Sequence, residues 1–228
     1  MRLIRFLLCL AVLPLTLQAQ NGKPSLKELV ERFDAAQAHV QTLQAPFTLT
    51  IRRALLRTPT LIKGSVYLQG SDFVHFVFHP PEDLIIHLTP KSLVSYSPEA
   101  KQGELLKIGS IKNANRKFLG LGQKLSFLSD YFQIGLGEGK EVMGTFFITL
   151  MPKTLATKKR MQALYIWVDR ETYLPRQIQW VERSGDSWHL ELGPLKLNQA
   201  LPSSIANFKV PEDIPLRSEF SFFATRKK

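Results

Sequence analysis

Between Phe47 and Leu192 apolar and polar residues alternate in short runs, and most runs end at a turn signal. Phe47, Leu49 and Ile51 alternate with Thr48, Thr50 and Arg52; Val66 and Leu68 continue the pattern, then Val74, Phe76 and Phe78. A period of two places the apolar side chains of a strand on one face. Pro80-Pro81 closes the third run, and further strands are predicted near 84–88, 93–96, 143–151, 161–168, 175–183 and 188–192. Residues 169–174 read as a turn, Ser184-Gly185-Asp186 as a hairpin tip, and Gly193-Pro194 as a strand break. Such a chain forms an antiparallel meander with one apolar face, and that face has to be covered.

Two helical segments are candidates for the cover. Pro24 and the Ser25/Glu28 capping box open the first, and Leu26, Leu29, Phe33, Val40 and Leu43 recur along one face until Pro46 ends it. In the second, Phe118, Leu121, Leu125, Leu128 and Phe132 form an apolar stripe opposite Lys124, Ser129 and Asp130. Gly120 and Gly122 weaken this helix by up to about 1 kcal/mol each relative to alanine. It would be held by packing and could lift away. No Ser/Gly linker, low-complexity tract or internal repeat divides the chain, so residues 20–228 are expected to form one domain.

The first nineteen residues have a different character. Arg2 and Arg5 precede an apolar run over 6–17, followed by Gln18-Ala19, the order of a secretory signal peptide cleaved near Ala19. About twelve apolar residues interrupted by Pro14 are too few for a bilayer span of about twenty. Cys9, the single cysteine, follows Leu8 rather than a small residue, so no lipid-modification site is read there. The mature chain is expected to be soluble, periplasmic, monomeric and free of disulfides. Its charge is +11 over the full chain; without Arg2 and Arg5, 28 basic residues face 19 acidic ones, a net +9. No interleaved aromatic stacking motif accompanies the charge, so anionic lipid headgroups or an acidic protein fit better than nucleic acid.

Chemistry-bearing motifs are sparse. His75 and His79 fall on a strand, where four residues span about 13 Å, too far to share a metal ion. Gly135, Gly137 and Gly139 lack the Lys-Ser/Thr of a phosphate loop and read as a flexible turn. No Gly-x-Ser-x-Gly elbow is present and no carboxylate pair stands in a catalytic context, so neither enzymatic activity nor a cofactor is expected. Lys158-Lys159-Arg160 reads as a solvated hairpin tip, with docking on a membrane or partner as the functional alternative. Ordinary core packing accounts for the apolar stripe of the strands without any ligand.

Several short segments, taken in order, add to this reading: Lys63-Gly64-x-Val66-x-Leu68; the strand to Phe76 and Phe78 with Pro80-Pro81; Lys91-x-Leu93-x-x-Tyr96-x-Pro98; Phe146-x-Ile148-x-Leu150-x-Pro152-Lys153; Leu174-Pro175; Lys196-x-Asn198; and Phe208-x-Val210-Pro211. Their order and spacing resemble the periplasmic lipoprotein carriers of the LolA type. The resemblance implies an α+β fold, an incomplete antiparallel β-barrel with a helical lid over an apolar cavity. It puts Val74, Phe76 and Phe78 on the cavity wall, the face that alternation also selects. With the remaining apolar positions of sheet and helices, the expected lipid-binding set is Phe33, Phe47, Leu49, Ile51, Val66, Leu68, Val74, Phe76, Phe78, Ile86, Leu121, Leu125, Leu128, Phe146 and Ile148. The resemblance further implies acylated lipoproteins or other lipids as cargo, an inner-membrane transporter that loads them and an outer-membrane receptor. A carrier of another lipid or glycolipid and an envelope-stress sensing module are the alternatives. Two departures stand out. Family members hold the lid with the arginine of a Lys-Arg-Pro segment, where this chain has Gln69-Gly70-Ser71. Thr89-Pro90 replaces their Asp-Gly turn.

Overall fold

The computed structural model describes residues 24–107, 121–140 and 142–218. The stretch read as an export signal, together with Phe118 and Gly120, lies outside the described residues. Among those described, no helix is long and apolar enough to cross a membrane.

One curled sheet that does not close dominates the molecule. Its strands, in chain order, are β1 (Thr42–Arg52), β2 (Thr60–Gln69), β3 (Phe73–Phe78), β4 (Leu84–Leu88), β5 (Ser92–Ser97), β6 (Gln102–Lys107), β7 (Phe132–Leu136), β8 (Thr145–Pro152), β9 (Met161–Asp169), β10 (Pro175–Glu182), β11 (Ser187–Leu192), β12 (Lys196–Leu197) and β13 (Leu216–Arg217). They pair in the order β13-β6-β5-β4-β3-β2-β1-β11-β10-β9-β8-β7, with β12 beside the start of β1. The α+β fold and the open antiparallel sheet expected from the sequence are borne out. One pair departs from the pattern, since β13 runs parallel to β6. The longest strand, β1, forms the seam between two meanders and binds β2 on one side and β11 on the other.

Several expectations are corrected. The first helix, α1 (Leu26–Ala38), does open on the Ser25 cap, but it ends before Val40 and Leu43. Leu43 lies in β1, opposite Leu68 and Leu197. Asn198 explains the early stop, because its side chain accepts from the Gln41 amide at 2.8 Å and donates to the His39 carbonyl at 3.1 Å. Pro46 sits inside β1 rather than ending the helix. Its carbonyl accepts from Gly193 at 2.8 Å, so its ring nitrogen faces the break between β11 and β12, where no ladder donor is missed. Of the described part of the second helix, residues 121–132, only α2 (Leu125–Leu128) is helical. Gly122 adopts φ +70, which an α-helix cannot contain, and Phe132 begins β7. Gly135 belongs to that strand too, rather than to a flexible turn. The Lys158-Lys159-Arg160 tip begins inside a helical turn, α3 (Leu155–Lys158), capped by Thr154.

The concave face of the sheet is covered, and the convex face is covered over β3 and β4. Leu43, Ala45, Phe47, Leu49 and Ile51 of β1 point to the concave side, with Leu68, Val66, Gly64 and Ile62 of β2 beside them. On the convex side His75 is 1% exposed; its Nδ1 lies 3.0 Å from His87 Nδ1, and Phe208 of the C-terminal segment packs 4.8 Å from the His75 ring and 5.1 Å from that of His87. That segment also carries α4 (Ser203–Ala206), which buries Ile205.

Two expectations follow. A Cβ on Gly64 would sit 2.4 Å from Phe47 Cζ and 2.5 Å from the Val77 carbonyl oxygen. Gly64→Ala should therefore destabilise the fold by about 1–3 kcal/mol, as measured by denaturant unfolding. Burial lowers the His75 imidazole from 6.5 to about 4, charge on His87 adding to the effect, and burial lowers His87 as well. The unfolded chain takes up these protons near 6.5 while the folded chain resists, so the contribution is complete above 6.5 and declines as pH falls toward 4. Unfolding free energies should drop by on the order of 2 kcal/mol from about pH 7 to about pH 4.5, and His75→Phe should flatten this part of the profile.

Candidate functional site

The middle of the concave face is filled by aromatic rings. Because Gly64 has no side chain, Phe47 lies across β2 and meets Phe76 and Phe78 edge-on, with centroids 5.6 and 5.5 Å away. Phe47, Leu49, Val66, Leu68, Phe76, Phe78, Ile86 and Ile148 all belong to one buried cluster. Phe33 of α1 and Leu125 and Leu128 of α2 are fully buried above it, so two short helical elements cover the concave face where a sandwich would place a second sheet. Phe146 lies half-buried to one side, stacked on Tyr173 at 5.9 Å. Arg32 of α1 donates to the Tyr173 hydroxyl at 2.7 Å, which ties the first helix to the turn after β9.

The tether between the two helices was not anticipated. Asp34 of α1 accepts from the amides of Leu125 at 2.6 Å and Ser126 at 3.2 Å, capping α2, whose own N-cap residue Lys124 supplies no side-chain bond. A carboxylate bound to backbone donors is a charge-assisted contact, stronger than a neutral one. No local motif announces it, because donor and acceptor are separated by 91 residues. At the position of the family's latch arginine, Gly70 adopts φ +46 and donates its amide to Gln41 at 2.7 Å. The same corner borders a cleft of about 140 Å³ between Gly70-Ser71, Val74, Leu88 and the segment from Leu121 to Gln123. Gly122 is pressed against Leu68 there, where a Cβ would come within 2.5 Å of Leu68 Cδ1.

The larger space lies at the opposite ends of the strands. A cavity of about 690 Å³ opens there, lined by apolar Ile51, Ile62, Leu84 and Trp188 and by polar Ser95, Ser97, Gln102 and Glu104, Leu84 lying beside Ser97 across the β4–β5 pair. Arg53 stands at its rim, its guanidinium 5.0 Å from the Trp188 ring and 2.9 Å from the Asp186 carboxylate. Burial alone would raise Asp186, but bonds from the Ala54 amide and Arg53 outweigh it and hold the carboxyl below the usual range. Of the fifteen residues expected at a lipid site, Ile51 lines this cavity, and Val74 and Leu121 line the smaller cleft. The other twelve form the packed centre, its roof or, for Phe146, its flank. Leu84 and Trp188 were legible as strand residues and Ile62 was not placed, and what brings the three together is the curl of the sheet. His79 accepts or donates a bond with Ser65 at 3.1 Å, while His75 pairs with His87; no group of three or more potential metal ligands converges among the described residues.

Comparison with known proteins agrees with this architecture. The family model described as outer membrane lipoprotein carrier protein LolA matches residues 38–209. An outer-membrane lipoprotein carrier protein of Pseudomonas putida (strain GB-1) is 24% identical over 212 residues, covering 93% of this chain and 97% of its own. The protein of the same name from strain W619 is 26% identical over 219 residues, with the same coverage. Among solved structures, a conserved protein from Thermus thermophilus superposes with a TM-score of 0.53 at 12% identity, covering 85% of this chain and 98% of that one.

Removing the tether isolates its contribution. Asp34→Ala should weaken the attachment of α2 by about 1.5–3 kcal/mol. Amide exchange over 125–129 should then accelerate about tenfold or more, with the central strands β1 and β2 unchanged.

Proposed function

The chain belongs to the LolA family, and on that premise we propose that it is a periplasmic carrier that shields the acyl chains of lipoproteins on their way from the inner toward the outer membrane. The observation that supports this most is the roof of the core. A sheet with an apolar concave face is covered by two short elements joined through one carboxylate, a cover that can be raised without unpairing a strand.

The physical need is clear from the cost of exposing lipid. Each methylene transferred to water costs about 0.8 kcal/mol, so a sixteen-carbon chain leaves a bilayer at about 12 kcal/mol. A carrier has to offer a comparably apolar site and still release its load. In this reading the cavity beside Ile51, Ile62, Leu84 and Trp188 is the space open before the lid moves. Its volume lies within the range of about 300–1,000 Å³ usual for ligand sites. Within this mixed lining, Ser97, Gln102 and Glu104 would receive the headgroup, and Ile51, Ile62, Leu84 and Trp188 the first chain. Raising α2 would then expose Val74, Phe76 and Phe78 to the remaining chains. The carrier performs no reaction of its own and uses no cofactor. A membrane transporter would load it and an outer-membrane receptor would unload it.

Mass spectrometry of apolar ligands on natively purified protein tests the reading, together with titration of a fluorescent acyl-chain probe. Diacyl or triacyl lipid, or lipoprotein, should copurify. Leu84→Glu, which places a charge at a half-buried wall position, should weaken probe binding about tenfold or more. Protein that carries no apolar ligand and does not bind the probe would exclude the carrier function.

A further inference from the structure

The end of the sheet that bears the large cavity also bears an apolar tip that nothing in the fold uses. The β1–β2 connection carries Leu55 at 96% and Leu56 at 63% exposure, and Leu61 just beyond it is also exposed. Two consecutive leucines in water at a hairpin tip contribute nothing to the core, and local turn geometry does not require them. The tip is held firmly nonetheless. The Ala54 amide donates to Asp186 at 2.8 Å and Arg53 pairs with the same carboxylate, so the β10–β11 turn braces the β1–β2 connection. The brace continues sideways, because the Arg183 amide donates to the Arg160 carbonyl at 3.3 Å and joins the β8–β9 connection to the row.

These three connections form one basic edge. Arg57, Lys158, Lys159, Arg160 and Arg183 lie along it and form no ion pair with any described residue; the acidic member, Asp186, is already held by Arg53. Across the cavity mouth the charge is mixed, with Glu82, Asp83 and Glu99 on the loops next to β3, β4 and β5 and Lys101 and Arg217 beside them. The side built from the three connections, with five unpaired cations, is the one that suits an anionic surface.

We propose that the β1–β2 tip and its basic flank dock on an anionic phospholipid bilayer. Leu55 and Leu56 enter the boundary between headgroups and chains, and Arg57 with the 158–160 cluster engages the phosphates. Apolar side chains flanked by cations are the combination by which interfacial segments hold a membrane surface. A narrow convex tip inserts into a fluid surface directly, whereas a protein partner would have to supply a matching pocket. Because Arg53, Thr60 and Ile62 belong to the same hairpin and line the cavity, docking sets the cavity mouth against the lipid, with the acidic loops tilted away. The role of the mouth rests on the carrier reading; the docking surface does not.

Cosedimentation of the purified full chain with vesicles tests this, comparing phosphatidylglycerol/phosphatidylethanolamine with pure phosphatidylcholine. Partition should favour the anionic vesicles and weaken as salt is raised. The double variant Leu55→Ser, Leu56→Ser should lose about tenfold or more of its partition, since each leucine contributes roughly that factor on leaving water. Arg57→Glu combined with Lys159→Glu should abolish the preference for anionic lipid. The leucine variant should unfold at the same denaturant concentration as the parent, since both side chains are exposed, and should still bind the acyl probe in free solution. Equal partition to both vesicle types, undiminished partition of the leucine variant, or binding to polyglutamate in place of vesicles would each overturn the proposal. Loss of probe binding in the parent would instead remove the carrier reading and leave the docking result standing.

Discussion

The packing of Phe47 across Gly64 organises the concave side of the sheet. An aromatic ring laid over a neighbouring strand needs a position without a side chain, and Gly64 provides it at the register where Phe78 pairs on the other side. Phe76 and Phe78 then close on Phe47 from the adjacent strand, and offset or edge-on rings contribute about 0.5–1.5 kcal/mol per pair beyond their burial. With the centre occupied by rings, the space described above lies toward the strand ends. The two cavities lie there, a small one under Leu121 and Gly122 and a large one beside Trp188. Residues in the middle can meet a ligand only after rearrangement, and those at the ends can meet one as the molecule stands.

This arrangement assigns different demands to the two ends. At the α2 end the cover is short and rests on apolar contact plus the Asp34 bonds. A single helical turn has too few internal hydrogen bonds to stand alone, so its place depends on what lies beneath it and on its cap. At the other end rigidity is built in. Arg53, Asp186 and the Ala54 amide lock two hairpins together, and Arg53 lies over the Trp188 ring. In the proposed carrier one end would yield while the other keeps its shape, which is what a site with a fixed mouth and an adjustable depth requires.

The sequence revealed the strands better than the contacts between them. Alternation located β1 through β5 and β8 through β11, and the apolar face at Val66, Leu68, Val74, Phe76 and Phe78 was read correctly as inward-facing. Short elements with no period of their own escaped. β6, β7, β12 and β13 are two to six residues long and are recognisable only by their partners. The helical stripe through Leu121, Leu125, Leu128 and Phe132 was misleading because a strand residue and a bend residue happened to share helical spacing with two helical ones. Leu43 misled in the same way, one turn beyond a helix that Asn198 ends from 159 residues away. Asp34, His87 opposite His75, and Trp188 on the cavity wall could not be picked out, since each acquires its role from register and curl.

The convex face bears on how much freedom the lid can have. His75 and His87 bring two ring nitrogens within 3.0 Å under the Phe208 ring, an arrangement in which at most one shared proton fits without placing two cations in contact. Burying such a pair is costly unless each nitrogen finds a partner, and here each supplies the other. The C-terminal segment is therefore fastened over β3 and β4, the strands that also carry Phe76, Phe78 and Ile86 on their opposite side. In the proposed carrier, holding those strands from behind would let the front of the sheet lose its helical cover without losing its curvature. A sheet clamped on its convex face can open on its concave one, and the separation of these two functions across a single layer is what an unclosed barrel permits and a closed one does not.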